Sequence, residues 1–506
     1  MSVIKAHTVS FQGVDAVNIE VQIHISRGLP AFNIVGLPDK TIGESKERIR
    51  AALQSIGFAL PAKRIIINMS PADIPKEGNH YDLPITIGIM AALEIIPEHV
   101  CSNWIIMGEL GLDGSIINVK GSIIASLHAK SNNKGIICPA ECGPECKFAT
   151  DIPVIAAGHL IQIINHFNGT QVCKEPEKMQ ILETENSLDF KDVKGHESIK
   201  RALEIAAAGR HHALLIGSPG AGKSMLSSRI STILPDMEIS EAIEVYKIYS
   251  MSNISNQSFS LKNRPFRSPH HNSSLSAMVG GGYKCKPGEI SLAHNGVLFM
   301  DELSLWKSDV LNGIREALES GKINISRANS KIEYPSSFHL IAAMNPCSCG
   351  NAYDIKNICS KFPKCHQDYI SKIPGPIWDR FGIIISVPKL APWELSSSKS
   401  KSKSSFEMKE SIKKAIDFQK SRYKDCKFKF NHDINSSEIK MLNITESAID
   451  CLNIISEKRG VSSRRYYNTL KIARTIADLD QSESVETLHM KESISYCLVN
   501  QVVNIK

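Results

Sequence analysis

Long apolar runs are missing from this 506-residue chain. No stretch reaches the ~18 uninterrupted apolar residues of a membrane-spanning helix, so no membrane span is expected. The first residues, MSVIKAHTVSF, lack the apolar core of a secretory signal. Neither charge sign dominates: 59 lysines and arginines against 52 acidic residues leave a formal net charge of +7. That balance does not by itself indicate a polyanionic partner. A disulfide framework is also not indicated, because thirteen cysteines, an odd number, are scattered over the whole length. What remains is an ordinary soluble composition, in a chain long enough for three or more domains.

The stretch that organises the rest is HHALLIGSPGAGKSMLSSRI, from His211 to Ile230. Ala213–Ile216 reads as a short buried strand, and the segment after Ser224 reads as a helix. Between them, Gly217-Ser218-Pro219-Gly220-Ala221-Gly222-Lys223-Ser224 is a complete G-x-x-x-x-G-K-[ST] phosphate-binding loop in its strand–loop–helix context. Its glycines let backbone N–H groups turn inward around a phosphate, and a helix N-terminus favours the anion. Lys223 is placed for the β/γ-phosphates of ATP, and Ser224 for Mg²⁺. With such a loop present, a reducing, cytoplasmic location is the expectation.

Residues 1–170 read as one α+β unit. Val14–Ile25 and Arg64–Met69 read as strands, Asp39–Ile56 as an amphipathic helix stopped at Gly57, and Pro84–Leu93 as a buried helix. Ile105–Leu110 and Ser115–Asn118 suggest a hairpin. Ile123–Ser131 reads as a helix, and Gly135–Pro139 and Pro153–Ala156 as strands. Cys138, Cys142 and Cys146 recur every four residues but lack a two-residue gap and flank Gly143-Pro144, so they read as ordinary thiols. Residues 171–189 are polar and read as a linker.

The nucleotide module is expected over 190–390, starting with a helix over His196–Gly209. Val297–Met300 is an apolar strand ending in Asp301-Glu302. Alone this is a weak signal. Downstream of a phosphate loop, Asp301 would orient Mg²⁺ through water and Glu302 would activate the attacking water. Phe338–Met344 ends at Asn345, whose amide could hold that water or read the γ-phosphate. Cys347, Cys349, Cys359 and Cys365 fall within nineteen residues, over a loop at 345–368. Four thiolates suit a closed, structural Zn²⁺ site, although the first spacing is tight; a cysteine-rich loop without metal is the alternative. Arg380 follows Gly375-Pro-Ile-Trp-Asp379, where a guanidinium could stabilise phosphoryl transfer within the chain or across a subunit boundary. Residues 391–410 contain the basic low-complexity run SSSKSKSKSS and read as a flexible linker. A helical lid is expected over 411–506, where Arg464 could fold back onto the phosphates.

Together these stretches resemble the magnesium-chelatase-like AAA+ ATPases, and among them the bacterial ComM/YifB family of competence-related proteins. The specific pieces are Val193-Lys-Gly195, Arg201-Ala-Leu-Glu-Ile-Ala-Ala-Ala208, the phosphate loop and Arg264-Pro-Phe-Arg267-Ser-Pro-His270-His271. Others are Pro287–Glu302, Gly375–Arg380, Ala473-Arg-Thr-Ile-Ala-Asp-Leu479, Gly28-Leu-Pro, Val35–Pro38 and Ser70–Gly78. The resemblance implies an α/β and α+β multidomain chain: a Lon-protease-like N-terminal domain, an AAA+ P-loop core and a C-terminal helical lid. It makes Gly217–Ser224 Walker A, Asp301-Glu302 Walker B, Asn345 sensor 1, Arg380 the arginine finger and Arg464 sensor 2. Lys322–Tyr334 would be the hairpin preceding sensor 1, and Arg264–Gly282 part of a pore-facing insertion. His196 stands where the family commonly has Gln, and the second cysteine pair is spread wider than usual.

The resemblance also implies a hexameric ring acting on single-stranded or branched DNA, with recombination proteins as possible partners and branch migration during natural transformation as its role. Arg264, Arg267, Lys284 and Lys286 would contact DNA phosphates. A protein-remodelling chaperone and a porphyrin metal-insertion ATPase are the other classes the motifs allow. Pro75–Pro84 is similar to the nucleophile stretch of Lon-type proteases, but positions 79–82 hold Asn, His, Tyr and Asp. In Val119–Ala125 the matching lysine position is apolar. No Ser–Lys dyad is expected, and so no peptidase activity.

Overall fold

The computed structural model describes residues 3–179, 188–252, 263–282, 285–327, 330–352, 359–391, 403–426 and 428–497. The chain divides into two units. One comprises Met1–Ile181 with Ile239–Ser258, and the other comprises Leu182–Glu238 with Phe259–Lys506.

In the first unit, β1 (Ile4–Gln12), β2 (Asp15–Ser26), β3 (Ala31–Val35), β4 (Arg64–Ser70) and β5 (Trp104–Ile106) come first. A small hairpin, β6 (Glu109–Leu110) and β7 (Ile116–Ile117), precedes β8 (Gly135–Pro139) and β9 (Val154–Ala157). The main sheet is seven-stranded and mixed, in the order β3-β4-β2-β1-β5-β8-β9. Alternation sets one face: Ile19, Val21, Ile23, Ile65, Ile67 and Met69 point into a core shared with helices Lys40–Ser55 and Asp82–Ala92. Asp82–Ala92 is buried nearly all round, which explains its continuous apolar run. Its Gly88 is a packing residue: a Cβ there would lie 2.2 Å from Ile23 Cδ1. The opposite face holds Val9, Ile105, Ala125 and Ile136 together with Cys138, Cys142 and Cys146. Those three thiols are core groups, and burial pushes Cys142 up to about 12.

The stretch Pro75–Pro84 uses its polar groups internally. Buried Lys76 donates to Pro71 O, and the His80 ring bonds Val9 O at 2.8 Å. The buried Asp82 carboxylate takes a two-pronged pair from Arg48 at 2.6 and 3.0 Å.

One finding departs from the expected boundaries. Residues 239–251 fall inside the range 190–390 expected for the nucleotide module, yet they form helix Ile239–Met251, which belongs to the first unit. Tyr246 lies 6.1 Å from the Phe148 ring, Lys247 pairs with Asp15 at 3.6 Å, and Lys120 Nζ donates to Ser252 O at 2.7 Å.

The second unit contains β10 (Ala213–Gly217), β11 (Phe266–Arg267), β12 (Gly280–Gly281), β13 (Lys286–Pro287), β14 (Val297–Met300), β15 (Lys322–Arg327), β16 (Ser330–Pro335), β17 (His339–Met344) and β18 (Ile383–Val387). Five of them form a parallel sheet, β11-β14-β17-β10-β18. β10, β14 and β17 are buried at every position, as parallel strands covered on both faces require. β15 and β16 pair as the expected hairpin.

The expected linker over 391–410 is corrected at its end. Ser404 and Glu407 form a reciprocal capping box that starts a helix at Ser405, running to Arg422. Residues 392–402, most of the low-complexity run, lie outside the described residues. Helices Glu446–Arg459, Ser463–Leu479 and Thr487–Cys497 follow. Met408, Ile412, Ile472 and Ile476 sit in the same core as Leu203, Leu215 and Ile383, while Leu442, Leu452, Leu470 and Met490 belong to a second core built from these helices.

Four histidines knit these helices to the amino ends of the strands. His211 Nε2 meets Thr475 Oγ1 at 2.7 Å, His339 Nε2 meets His211 O at 2.7 Å, and the His212 and His432 rings lie 4.6 Å apart. Burial drives His339 down to about 3 and His432 to about 4, with Arg210 disfavouring charge on both and Asp433 opposing that at His432. Both folded values lie below the ~6.5 of an unfolded histidine, so their stabilisation is complete above pH ~6.5 and is lost as pH falls toward 4. Each ring is expected to cost up to about 1.4 kcal/mol per pH unit in that window. Urea midpoints measured from pH 7.5 to 5 check this, and His432→Gln should flatten the slope.

Candidate functional site

In a parallel α/β sheet, ligands collect outside the carboxyl ends of the strands where the strand order reverses. Here β10 lies between β17 and β18, so the loop after β10 emerges at that point. Gly217 closes β10 against β18, where a Cβ would sit 2.3 Å from Val387 O. Gly220 and Gly222 adopt φ of 77° and 88°, which turns the loop through Pro219–Gly222. Helix Lys223–Ser228 follows.

Three strand ends supply the polar groups. Lys223 is buried, and its Nζ donates to Gly217 O at 2.7 Å, Ser218 O at 3.1 Å and Asn345 Oδ1 at 3.1 Å. Burial lowers its pKa, with Asp301 and Glu302 opposing. Ser224 Oγ donates to Asp301 Oδ2 at 2.8 Å. A hydroxyl beside a carboxylate is the all-oxygen donor set that a hard cation such as Mg²⁺ takes. Asp301 is fixed further by Glu302 N on its Oδ1 at 2.8 Å and by Trp306 Nε1 on its carbonyl at 2.9 Å. The sequence-predicted Lys223, Ser224, Asp301, Glu302 and Asn345 therefore meet, although Asp301 and Asn345 lie far from the loop in sequence.

Two expected residues stand differently. Arg380 pairs with Glu319 of its own chain at 2.5 Å, and Arg315 shares that carboxylate. Arg464 is exposed in the first turn of helix Ser463–Leu479. Among the described residues no hydrogen bond joins either one to Gly217–Ser224. Two of the arginines expected to contact DNA phosphates carry bonds within the chain. Arg264 donates to Pro235 O at 2.9 Å and Asn295 O at 2.7 Å, and Arg267 grips Glu289 at 2.6 and 2.7 Å. Both serve internal acceptors of the chain. Lys284 lies outside the described residues.

Sequence reasoning missed one contact altogether. His271 Nδ1 lies 3.1 Å from Glu302 Oε2, and the His270 ring lies against it at 4.2 Å. Glu302 itself adopts φ of 51°, a left-handed conformation uncommon for a non-glycine residue and frequent at functional sites. The His-His pair follows β11, the edge strand beside β14, so only the fold reveals the meeting.

The four cysteines of the 345–368 loop also converge. The sulfurs of Cys347, Cys349, Cys359 and Cys365 all lie within 4.8 Å of one another, the one such cluster among the described residues. Cys347 is buried and Cys349 exposed. Ser348 lies 3.2 Å from Cys365 and holds that thiol down at about 7.

Comparison with known proteins agrees with this geometry. Three segments match family models of magnesium chelatase subunit ChlI: residues 189–395 and 21–142 match two models of that subunit, and 402–497 matches the model of its C-terminal part. Protein YifB of Escherichia coli (strain K12) is 39% identical over 505 residues, covering 99% of this chain and 98% of that protein. Competence protein ComM of Haemophilus influenzae is 38% identical over 504 residues, covering 98% and 97%. The chain belongs to the ComM/YifB family of magnesium-chelatase-like AAA+ ATPases. This ComM/YifB protein is thus an ATP-driven motor in the general sense of its family, with ATP and Mg²⁺ as the family's cofactors. The magnesium-chelatase 67 kDa subunit of Heliobacterium mobile is more distant, 25% identical over 190 residues and 32% of this chain. No described helix is long and apolar enough to cross a membrane.

Proposed function

We propose that this ComM/YifB protein hydrolyses ATP to move DNA, as a ring of identical copies that migrates branched recombination intermediates. The observation that carries the ATPase half is the meeting of Lys223, Ser224, Asp301, Glu302 and Asn345 at one sheet end. The DNA half rests on near full-length likeness to a protein named for competence.

When bound, Mg²⁺-ATP supplies a γ-phosphoryl group open to in-line attack by water. Gly217–Gly222 presents backbone to its phosphates, and the Lys223 ammonium leaves its carbonyl partners to meet their charge. Ser224 Oγ would hold the cation, and the Asp301 carboxylate would orient it through water. Glu302 Oε2 takes a proton from the attacking water, and the Asn345 amide orients it. Arg380 and Arg464, free of the loop within one chain, serve the phosphates when copies assemble and the helices close. In this reading the chain is not a peptidase, since Pro75–Pro84 carries no serine and its Lys76 is buried in an internal hydrogen bond.

The test is ATP turnover with and without single-stranded, duplex and four-way-junction DNA, with junction resolution followed on a gel. Turnover should rise with single-stranded or branched DNA. Binding should weaken with salt, with a log–log slope of about −0.9 per duplex phosphate contacted. Turnover indifferent to every DNA form overturns the motor on DNA. A polypeptide retained by the hydrolysis-blocked protein in place of DNA indicates remodelling instead.

A further inference from the structure

The four-cysteine loop touches the phosphate loop at two separate places. The first is Gly350, which has φ of 80° and packs flat on Pro219: a Cβ there would lie 2.4 Å from Pro219 Cδ and 2.8 Å from Pro219 Cγ. Only a residue without a side chain fits, and Gly350 immediately follows Cys349. The second is the segment Asn345-Pro346-Cys347. Asn345 accepts from the Lys223 ammonium at 3.1 Å, and Cys347 lies two residues on. The Pro346 carbonyl between them takes a 2.5 Å hydrogen bond from Nδ1 of buried His366, the residue after Cys365. Every cysteine pair is thereby linked to the cradle: Cys347 and Cys349 through the backbone, and Cys365 through His366.

The sulfur arrangement suits one ion. Tetrahedral zinc with ~2.3 Å Zn–S bonds sets sulfurs about 3.8 Å apart, and the four here lie within 4.8 Å of one another. Cys347 and Cys349 approach to 3.2 Å. Four sulfurs leave no open position, so the ion is structural.

We propose that Cys347, Cys349, Cys359 and Cys365 bind one zinc ion that braces the phosphate loop through Gly350 and Pro346, so that ATP affinity depends on the metal. The brace rests on Gly217–Ser224 being the ATP site. Without the ion, only the His366–Pro346 and Ser348–Cys365 contacts hold the Cys359–Cys365 arm to Cys347 and Cys349, and the seat under Pro219 loosens.

The experiment uses the full-length protein kept reduced. Metal content is measured by mass spectrometry, and binding of a fluorescent ATP analogue is followed before and after the zinc is displaced with a thiol-reactive mercurial, then after thiol and zinc are returned. One zinc per chain is expected, with affinity about tenfold weaker on stripping and regained on reloading. Cobalt(II) loading should give the visible spectrum of a four-thiolate site. Gly350→Ala should keep the zinc yet weaken the analogue about tenfold, which separates the brace from a folding defect. Lys223→Ala should abolish analogue binding while keeping the zinc. Reduced protein that takes up neither zinc nor cobalt, or that carries iron instead, overturns the zinc site. Zinc-loaded protein whose affinity survives both stripping and Gly350→Ala overturns the brace. Zinc-loaded protein that never binds the analogue overturns the ATP-site reading instead.

Discussion

Glu302→Gln should reduce ATP turnover by about a thousandfold while leaving ATP binding within a few-fold of the unaltered protein. Gln keeps the shape and the hydrogen-bonding reach of the side chain but cannot accept a proton at Oε2. The residues proposed to hold phosphate and cation are untouched: Lys223 keeps Asn345, and Ser224 keeps Asp301. The loss therefore falls on the chemical step. Phosphate release under saturating ATP, beside titration with a fluorescent analogue, separates the two quantities. A variant that retains a tenth of the original turnover would remove Glu302 from the role of base. The geometry makes this a clean substitution, because among the described residues the Glu302 carboxylate has one close side-chain partner, the His271 ring, and Gln can still bond that ring.

The second large effect lies far from the phosphates. Asp478 is fully buried and accepts from Arg422 at 2.5 and 3.1 Å, from Arg474 at 3.1 Å and from Asn431 Nδ2 at 2.9 Å. Arg474 is equally buried, and its remaining donors go to the carbonyls of Leu442, Ser482 and Glu483. Asn431 extends the network to Thr475 and Tyr423. Asp478→Ala would leave two guanidiniums against one another with no anion between them. Loss of one partner from a buried pair costs about 3–5 kcal/mol. The free energy of the first unfolding transition should fall by that amount and lower its urea midpoint accordingly, with hydrogen exchange accelerated over helices Ser405–Arg422 and Ser463–Leu479. An unchanged midpoint would mean that water already solvates this cluster. The motif Ala473–Leu479, a marker of the family, is thus a structural device that anchors the C-terminal helices.

What could be read from the chain depended on how local the signal was. Gly217–Ser224 carries its whole meaning in eight consecutive residues, and β14 and β17 announce themselves as short apolar runs ending in polar groups. Sequence separation did not hide Asp301 or Asn345, because the phosphate loop said what to look for downstream. β1 escaped because its residues, IKAHTVSFQ, mix polar and apolar without a face; it lies inside the sheet, where Thr8 and Ser10 are buried beside Val9. The start of helix Ser405–Arg422 was hidden by the basic run ahead of it, although Ser404 and Glu407 are a legible cap. Arg264 and Arg267 looked like free cations because their partners, Pro235 O, Asn295 O and Glu289, come from other loops. His271 meeting Glu302, and Gly350 meeting Pro219, depend on strand order and could not be read without it.

Helix Ile239–Met251 has a consequence for how this protein can be divided. The first unit takes its residues from two separate stretches of chain, 1–181 and 239–258. Val245, Tyr246 and Ile248 of that helix are buried, and Tyr246 lies against Phe148. Cleavage at a single point after residue 181 would release a fragment stripped of that helix, with a raw apolar scar where it had been. The N-terminal unit is therefore not a cassette. It cannot be cut away, swapped or borrowed in one piece, and a gene that lost its first third would leave an orphaned, sticky helix in the middle of the ATPase.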